Sequence, residues 1–170
     1  MKSEFMKYYF KEDTTHKIFC DMDGVIVNFV KGYEEISGFN KKQAEKIYHS
    51  NPPRFWGPIN NAGYEWWANL DWMPDGKELW NYILPYNPTI LTAPSKGEAC
   101  PKGKKIWTER ELGGEIPVII ERDKYKYAEP NNILIDDTKQ KIDDWIDAGG
   151  IGIWHKNTRD TIKQLEEILI

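Results

Sequence analysis

The feature that most constrains the fold is a series of short apolar runs that alternate with helical patterns. The runs cover residues 18–20, 89–91, 118–120, 133–135 and 151–154. Runs of this length are typical of strands that are buried on both faces of a sheet. Between most of them, segments such as 139–150 repeat apolar residues with helical spacing, here Ile142, Trp145 and Ile146. The alternation predicts an α/β fold with a central parallel sheet flanked by helices.

One long segment, residues 31–74, has no convincing strand. A helical pattern at 40–51 is followed by a Pro- and Trp-rich stretch at 52–74. Because the segment is too long for a plain connection, we expect a small, mostly helical insertion after the first strand, called the cap below. The predicted organisation is a core formed by residues 1–30 and 75–170 and a cap formed by residues 31–74.

Composition argues against several classes of function. The net charge of −4 gives no broad basic field for duplex nucleic acid or an anionic membrane. No apolar stretch approaches the roughly 20 residues that span a bilayer, and residues 1–15 carry charges throughout, unlike a signal peptide. Cys20 and Cys100 lack metal-site spacing, and Cys20 is expected to be a buried free thiol. We therefore expect a reduced, cytoplasmic protein, and we assign no role to its scattered histidines.

Polar side chains follow four of the five predicted strands. They are Asp21 and Asp23, then Thr92, then Lys124, and finally the pair Asp136 and Asp137. Taken singly, such residues are often helix caps, turn residues or solvated charges. However, the carboxyl ends of parallel strands meet at one edge, and several carboxylates gathered there need a cation, for which oxygen ligands indicate Mg²⁺. A hydroxyl and a lysine beside that ion suit a phosphoryl group, so the pattern predicts phosphoryl transfer.

This order of groups resembles the haloacid dehalogenase superfamily. Its pattern is Asp-x-Asp after the first strand, Thr or Ser after the second, then a Lys, and then an acidic pair after the fourth. The specific part is DMDGV at residues 21–25, and the resemblance covers nearly the whole chain. It implies a three-layer, Rossmann-like fold with a cap. Members that act on haloacids lack the second acid of the motif, so Asp23 favours a phosphatase.

The resemblance also implies roles for the residues at the strand ends. Asp21 is the expected nucleophile, which forms a phospho-aspartate intermediate. Asp23 is the expected general acid for the leaving oxygen and then the base for the attacking water. Thr92 and Lys124 are expected to hold the phosphoryl oxygens, with Lys126 as the alternative to Lys124.

The same resemblance implies a magnesium site beside the phosphate. Its expected ligands are Asp21, the main-chain carbonyl oxygen of Asp23 and a carboxylate of the acidic pair. By its place in the pattern, Asp137 is the direct ligand and Asp136 lies in the outer sphere.

Within the superfamily, the chain resembles the 5′(3′)-deoxyribonucleotidases and their small phage and bacterial relatives. The likeness rests on DMDGVIVNF, which places Phe29 eight residues after the nucleophile, and on a Thr followed by small residues such as Ala93. It also rests on the basic segment KGKKIWTERELG, from which those enzymes use a lysine to bind phosphate. That lysine corresponds to Lys104, and the adjacent Lys105 is the alternative. The resemblance implies Mg²⁺-dependent hydrolysis of nucleoside monophosphates.

Aromatic residues crowd the cap. They are Trp56, Tyr64, Trp66, Trp67 and Trp72. Because a nucleobase stacks on such rings, Phe29, Trp56 and Trp66 are the residues we expect to bind the base. The alternative is that the rings only pack the cap against the core.

Other functions remain open on the residues alone. One is a phosphatase for sugar phosphates or another small metabolite, which would favour a more polar cap. A polynucleotide 3′-phosphatase would favour a basic trough. A receiver-type signalling module disagrees with the position of the acids and with the Trp-rich segment. The expected partner is a small phosphate ester, whereas the base, the sugar, the 5′ or 3′ position and the oligomeric state are not specified.

Overall fold

The structure, a computed structural model, describes residues 15–169 and confirms the α/β fold. Five parallel strands form one sheet in the order β3-β2-β1-β4-β5. The strands are β1 (Lys17–Cys20), β2 (Thr89–Thr92), β3 (Val118–Ile120), β4 (Asn132–Asp136) and β5 (Ile151–Trp154). Every predicted strand is present, and its ends differ from the predicted ones by at most one residue. Because β1 lies at the centre, its carboxyl end is next to those of β2 and β4.

Helices surround this sheet. Those in the described residues are α1 (Phe29–Ser37), α2 (Lys41–Ser50), α3 (Pro52–Ala68), α4 (Gly76–Ile83), α5 (Ala99–Leu112), α6 (Lys139–Asp147) and α7 (Thr158–Ile168). Short 3₁₀ turns occupy Leu84–Tyr86 and Lys124–Tyr127. Helices α1 to α3 lie between β1 and β2, in the segment predicted to form the cap. The division of the chain into cap and core stays a prediction.

The sheet is buried on both faces, because strand side chains alternate with a period of two. One face carries Ile18, Cys20, Ile90, Ile133, Ile135 and Ile153, in one apolar cluster with Leu79 and Ile83 of α4 and Leu165 of α7. The other carries Phe19, Leu91 and Leu134, in a cluster with Ile142 and Trp145 of α6. Ile146, predicted on the same face of α6, is instead 49% exposed. It lies against Gly152 of the edge strand β5, at the margin of the sheet.

Asparagine side chains fix the starts of four helices. They are Asn28 for α1, Asn40 for α2, Asn51 for α3 and Asn157 for α7. Each side-chain oxygen accepts a hydrogen bond from the main-chain N–H three residues further on, which satisfies a donor that the helix leaves unpaired. At α2 the Gln43 side chain returns the contact to Asn40, which completes a capping box. These helix starts are therefore specified locally.

Helix α5 fixes the cap to the rest of the molecule. Gly103 lets the backbones of α3 and α5 approach closely, because a Cβ at this position would clash with Trp67. Trp107 is fully buried, and its Nε1 donates to the Leu70 carbonyl oxygen at 2.8 Å. Trp67 and Trp107 therefore pack where α5 contacts the cap and the residues that follow it.

None of the helices between residues 15 and 169 combines the length and the apolar character that a membrane span requires. The prediction about a signal peptide concerns mainly residues 1–14, which lie outside the described range. Cys20 is a buried free thiol, as predicted, and burial raises its pKa.

Candidate active site

Predicted side chains from four strands meet at the carboxyl edge of the sheet. Asp21 follows β1, Thr92 ends β2, Asp136 ends β4, and Lys124 begins the 3₁₀ turn after β3. Lys124 Nζ lies 2.8 Å from Asp21 Oδ1 and 2.6 Å from Asp136 Oδ2, and all three residues are buried. Lys126, the alternative lysine, is exposed and pairs with other carboxylates. The structure therefore places Lys124, not Lys126, beside the candidate nucleophile.

A tight turn after β1 presents the two acids of the motif. Met22 is buried in the core, whereas Asp21 and Asp23 on either side of it line a cavity at the sheet edge. The Met22 carbonyl oxygen accepts three main-chain hydrogen bonds that close the turn. Gly24 has a φ of +80°, and a Cβ there would clash with the Asp137 carboxylate. Glycine at this position therefore allows the acidic pair after β4 to approach the turn.

In the acidic pair after β4, both carboxylate oxygens of Asp136 accept hydrogen bonds, whereas the carboxylate of Asp137 is nearly free of them. Asp136 Oδ2 accepts a hydrogen bond from Lys124, and its Oδ1 accepts one from the Thr138 main-chain N–H at 2.8 Å. Among the described residues, the Asp137 carboxylate has only a 3.5 Å contact with Thr138 Oγ1. Oxygens of Asp21, Asp136 and Asp137 all lie within 4.8 Å of one another. This cluster fits a hard cation, and Asp137 has the freer oxygens to bind it.

The excess of negative charge shifts the pKa values of the site. The pKa of Asp137 is raised to about 7, because protein atoms displace water around its carboxyl group and because Asp21 and Asp136 are negative. The residue as a whole is exposed, but its carboxyl group lies close to those of Asp21 and Asp136. Burial, together with Asp21, also raises the pKa of Asp136. Burial alone would lower the pKa of Lys124, but the charges of Asp21 and Asp136 outweigh it, so that its pKa is raised and it remains a cation.

A second buried lysine connects β2 with the turn after β1. Lys104 on α5 is only 2% exposed. Its Nζ donates to Thr92 Oγ1 at 2.6 Å, to Asp23 Oδ2 at 2.8 Å and to the Ala93 carbonyl oxygen at 2.9 Å. Burial would lower the pKa of Lys104, but Asp23 and other neighbours raise it overall. Asp23 Oδ1 is buried and finds no hydrogen-bond partner within residues 15–169.

A cavity of about 320 Å³, called the reaction cavity below, lies between this edge and the cap. Its core wall includes six predicted site residues: Asp21, Asp23, Thr92, Ala93, Lys104 and Asp137. Its cap wall carries the aromatic residues Phe29, Tyr48, Phe55, Trp56 and Trp67. The structure thus brings Phe29 and Trp56, both predicted to bind a base, to the same cavity as the strand-end acids. Lys105, the alternative to Lys104, is exposed and does not line it.

Trp66, the third aromatic residue predicted to bind a base, lies elsewhere, which corrects that prediction. Its Nε1 donates to the Gly32 carbonyl oxygen at 3.3 Å, and its ring lines a separate cavity of about 380 Å³ between α1 and α3. The physical reason is the close approach of α1 at Gly32, where an added Cβ would lie 3.3 Å from the Trp66 ring. Trp67 lines the reaction cavity instead.

One hydrogen bond that holds the acidic pair in place was not predicted from the sequence. Trp154, at the end of β5, donates from its Nε1 to the Asp137 main-chain carbonyl oxygen at 3.0 Å. The strand-end position of Trp154 was a signal that could have identified it. Tyr48 and Phe55 had no comparable signal, because their position depends on how the cap helices pack.

A parallel sheet in this order, with a helical insertion after β1 and acids at the strand ends, has the fold of haloacid dehalogenase-like hydrolases. A Burkholderia xenovorans LB400 protein described as a haloacid dehalogenase-like hydrolase matches with a TM-score of 0.61 and 11% identity, over 91% of this chain and 99% of that chain. A hydrolase from Streptococcus pneumoniae TIGR4 matches with a TM-score of 0.54 and 13% identity, over 89% and 98%. A Thermotoga maritima protein described as a beta-phosphoglucomutase matches with a TM-score of 0.52 and 12% identity, over 90% and 99%.

The sequence itself matches no protein-family model and no curated protein. At identities of 11–13%, the structural likeness confirms the fold that the sequence motif predicted.

Proposed function

We propose that this chain is a Mg²⁺-dependent phosphatase that hydrolyses nucleoside monophosphates through a phospho-aspartate intermediate. The observation that carries the proposal is the reaction cavity, which has acids and a buried lysine on one wall and aromatic rings on the other. The first wall suits a phosphoryl group, and the second suits a flat, apolar leaving group.

Asp21 is the nucleophile in this proposal. Lys124 holds its Oδ1, which leaves Oδ2 as the oxygen that attacks phosphorus. The bond between phosphorus and the leaving oxygen breaks, and the leaving oxygen takes a proton from Asp23. Water then attacks the phospho-aspartate, Asp23 accepts the proton of that water, and inorganic phosphate is released. Asp23 lines the reaction cavity, and its Oδ1 has no hydrogen-bond partner among the described residues, so this oxygen is free to carry the transferred proton.

Thr92 and Lys104 are the proposed phosphate-binding groups at the other side of the cavity. They already contact each other at 2.6 Å, so a hydroxyl and an ammonium group are held together at the end of β2. Both are buried, which makes a charge-assisted hydrogen bond to a phosphoryl oxygen strong and fixed in direction. Lys124 keeps its charge at the opposite side, beside Asp21.

Asp21, Asp137 and the main-chain carbonyl oxygen of Asp23 are the groups that would hold Mg²⁺. Asp136 would support them from the outer sphere, because both of its oxygens are engaged by Lys124 and by the Thr138 N–H. When bound, the ion neutralises the carboxylates and the developing charge of the phosphoryl group.

The aromatic wall is the reason for proposing a nucleotide rather than a sugar phosphate. Phe29 packs edge-on against Trp66 and at a tilt to Trp67, with centroid distances of 5.4 and 5.7 Å, and it lines the reaction cavity. Trp56 lines the same cavity. A base that stacks on such a wall gains contacts that a hydroxyl-rich sugar does not make.

A phosphate-release screen tests the proposal. Purified protein is given nucleoside 5′- and 3′-monophosphates, with ribose and deoxyribose, sugar phosphates and p-nitrophenyl phosphate, each with Mg²⁺ and with EDTA. Nucleoside monophosphates should give the highest kcat/KM, and EDTA should abolish every rate. Full activity in EDTA would contradict the metal-dependent mechanism. If no nucleotide exceeds p-nitrophenyl phosphate, only the coarser phosphatase assignment survives.

A further inference from the structure

A second cavity of about 590 Å³ adjoins the reaction cavity. The two share Tyr48, Trp56 and Ser95 in their walls, so one ligand can extend from the first into the second. We propose that this second cavity binds a further phosphate group, carried by the leaving group of the substrate. The inference rests on the proposed function and narrows its substrate class to nucleotides with two phosphate groups.

The second cavity has two chemically different walls. The cap side is mostly aromatic and apolar, with two polar side chains; its residues are Tyr48, His49, Pro52, Pro53, Trp56 and Asn60. The core side carries Ser95, Lys96 and Arg122, and none of the described residues that line the cavity has a carboxylate. A nucleoside with a phosphate matches these walls, because its flat base suits the rings and its anion suits the two cations.

The two cations lie at the same sheet edge as the candidate active site. Lys96 is in the loop that leaves β2, four residues after Thr92, and Arg122 is two residues after the end of β3. Arg122 Nη2 donates to the Pro94 carbonyl oxygen at 3.0 Å, which holds the guanidinium group against the loop that carries Lys96. The Glu121 main-chain N–H also bonds to the Thr92 carbonyl oxygen at 2.9 Å. The guanidinium group of Arg122 is therefore fixed relative to the reaction cavity, and Lys96 lies on the loop that it contacts.

The positive charges of Lys96 and Arg122 remain available to bind an anion. Within residues 15–169, neither Lys96 nor Arg122 forms an ion pair with a carboxylate. Lys141 Nζ donates to the Arg122 carbonyl oxygen and adds a further positive charge nearby. An arginine and a lysine beside each other on a cavity wall form a phosphate-binding pair, since the guanidinium group donates two parallel hydrogen bonds and the ammonium group adds a point charge.

Two classes of substrate carry a second phosphate group of this kind. The second phosphate can be the other monoester of a nucleoside 3′,5′-bisphosphate, or it can be the phosphodiester of a dinucleotide with a terminal phosphate. In both, one phosphate occupies the reaction cavity, the nucleoside spans the shared wall at Tyr48 and Trp56, and the second phosphate reaches Lys96 and Arg122.

The test compares kcat/KM for a nucleoside 5′-monophosphate, its 3′,5′-bisphosphate and a 5′-phosphorylated dinucleotide of the same base. In the wild-type protein, at least one of the two larger substrates should be preferred over the monophosphate by about tenfold, as expected for two charge-assisted contacts. The double variant Lys96→Gln/Arg122→Gln should lower this preference by about fivefold or more. The matched control Arg159→Gln/Lys163→Gln removes the same two charges from the exposed side of α7 and should leave the preference unchanged.

If only the dinucleotide is preferred over the monophosphate, the second cavity binds the phosphodiester. If both larger substrates are preferred, it binds a phosphate group in either form. The salt dependence of the wild-type preference is a second measurement that needs no variant, since screening should reduce it. If monophosphates are cleaved but neither larger substrate is preferred, or the double variant keeps the preference, the inference is overturned while the proposed function stands. If no nucleotide exceeds p-nitrophenyl phosphate, the proposed function fails and this inference fails with it.

Discussion

At the scale of single residues, the candidate site contains more negative than positive charge. Its four carboxylates are Asp21, Asp23, Asp136 and Asp137, and its two buried cations are Lys104 and Lys124. The lysines pair with three of the acids, and the fourth, Asp137, is left without a cationic partner among the described residues. Burial raises the pKa of Asp137 to about 7, and the negative charges of Asp21 and Asp136 add to the shift. The site is therefore arranged to gain from a divalent cation.

Asp21→Asn should abolish turnover, because an amide cannot form the phosphoryl ester, while the fold is retained. Asp23→Asn should slow the reaction by roughly 10²–10⁴-fold through the loss of proton transfer. Phosphate release under single-turnover conditions measures both variants, and thermal melting checks their folding. A folded Asp21→Asn protein with wild-type turnover would show that Asp21 is not the nucleophile.

The raised pKa of Asp137 predicts how stability depends on pH in the metal-free protein. Its folded-state pKa of about 7 lies above the unfolded value of about 4. The contribution of protonated Asp137 to the free energy of unfolding is therefore fully present below about pH 4, and it is lost as the pH rises through about 7. In EDTA at pH 8, Asp137→Asn should melt at a higher temperature than the wild type, by a small amount because solvent screens the charge of this exposed residue.

Melting curves at pH 5 and pH 8, with EDTA and with Mg²⁺, test this expectation. At pH 8, Mg²⁺ should stabilise the wild type by binding the ionised carboxylates, and it should stabilise Asp137→Asn much less. The control Asp147→Asn removes one exposed charge from α6 and should change neither result. A lower melting temperature of Asp137→Asn in EDTA at pH 8 would refute the proposed repulsion.

At the scale of secondary-structure elements, helix α5 connects the candidate active site with the cap. Lys104 reaches the site from one turn of this helix, and Trp107 and Arg110 follow at a spacing of three residues. Arg110 Nη2 donates to the Ala68 carbonyl oxygen at 2.7 Å, and Trp107 Nε1 donates to that of Leu70. One helix face therefore positions both Lys104, the proposed phosphate-binding lysine, and the end of α3.

Gly103→Ala should disturb this connection. The added Cβ would clash with the Trp67 side chain and the Tyr64 carbonyl oxygen. Overpacking of this kind costs about 1–3 kcal/mol of unfolding free energy. The melting temperature should fall and KM for the substrate should rise, because Lys104 and Trp67 both line the reaction cavity.

Gly57→Ala is the matched control for this substitution. Gly57 is also helical, in α3, and a Cβ there would meet no atom within 4 Å. The control should be as stable as the wild type or more so, since Ala favours helices over Gly. Equal melting temperatures for the two variants would contradict the close approach of α3 and α5.

At the scale of the whole molecule, selectivity should arise where the cap meets the sheet edge. In the proposed function, the strand-end groups bind only the phosphoryl group, which every phosphate monoester shares. Discrimination among leaving groups must come from the aromatic wall, which residues of α1, α2 and α3 build together. Substrate choice is thus a property of the assembled fold and not of any one element.

Trp56→Ala should lower kcat/KM for a nucleoside monophosphate by the equivalent of about 1–3 kcal/mol of stacking, with little effect on p-nitrophenyl phosphate. Trp72→Ala is the control, because Trp72 packs on Trp107, with ring centroids 4.9 Å apart, and does not line the reaction cavity. It should lower stability without changing the ratio of the two substrates. Equal losses on both substrates in Trp56→Ala would refute the base-stacking role.

The sequence by itself determined the strands, their parallel arrangement and the set of polar groups at their ends. Such features are local, because a buried strand needs a short apolar run and the polar residue that follows it must lie at the sheet edge. For this reason the positions of Asp21, Thr92 and Asp136 in the chain were enough to assign them to one edge, and the order of the groups indicated the fold.

Only the tertiary structure decided which side chains face one another. Lys124 and Lys126 are two residues apart and equally basic, and the packing of the turn after β3 makes one buried and the other exposed. Trp56 and Trp66 have the same chemistry, and packing places Trp56 in the reaction cavity and Trp66 against Gly32 of α1. The contact of Lys104 with Asp23 joins residues 81 positions apart. Contacts of this kind depend on long-range packing, which sequence periodicity does not encode.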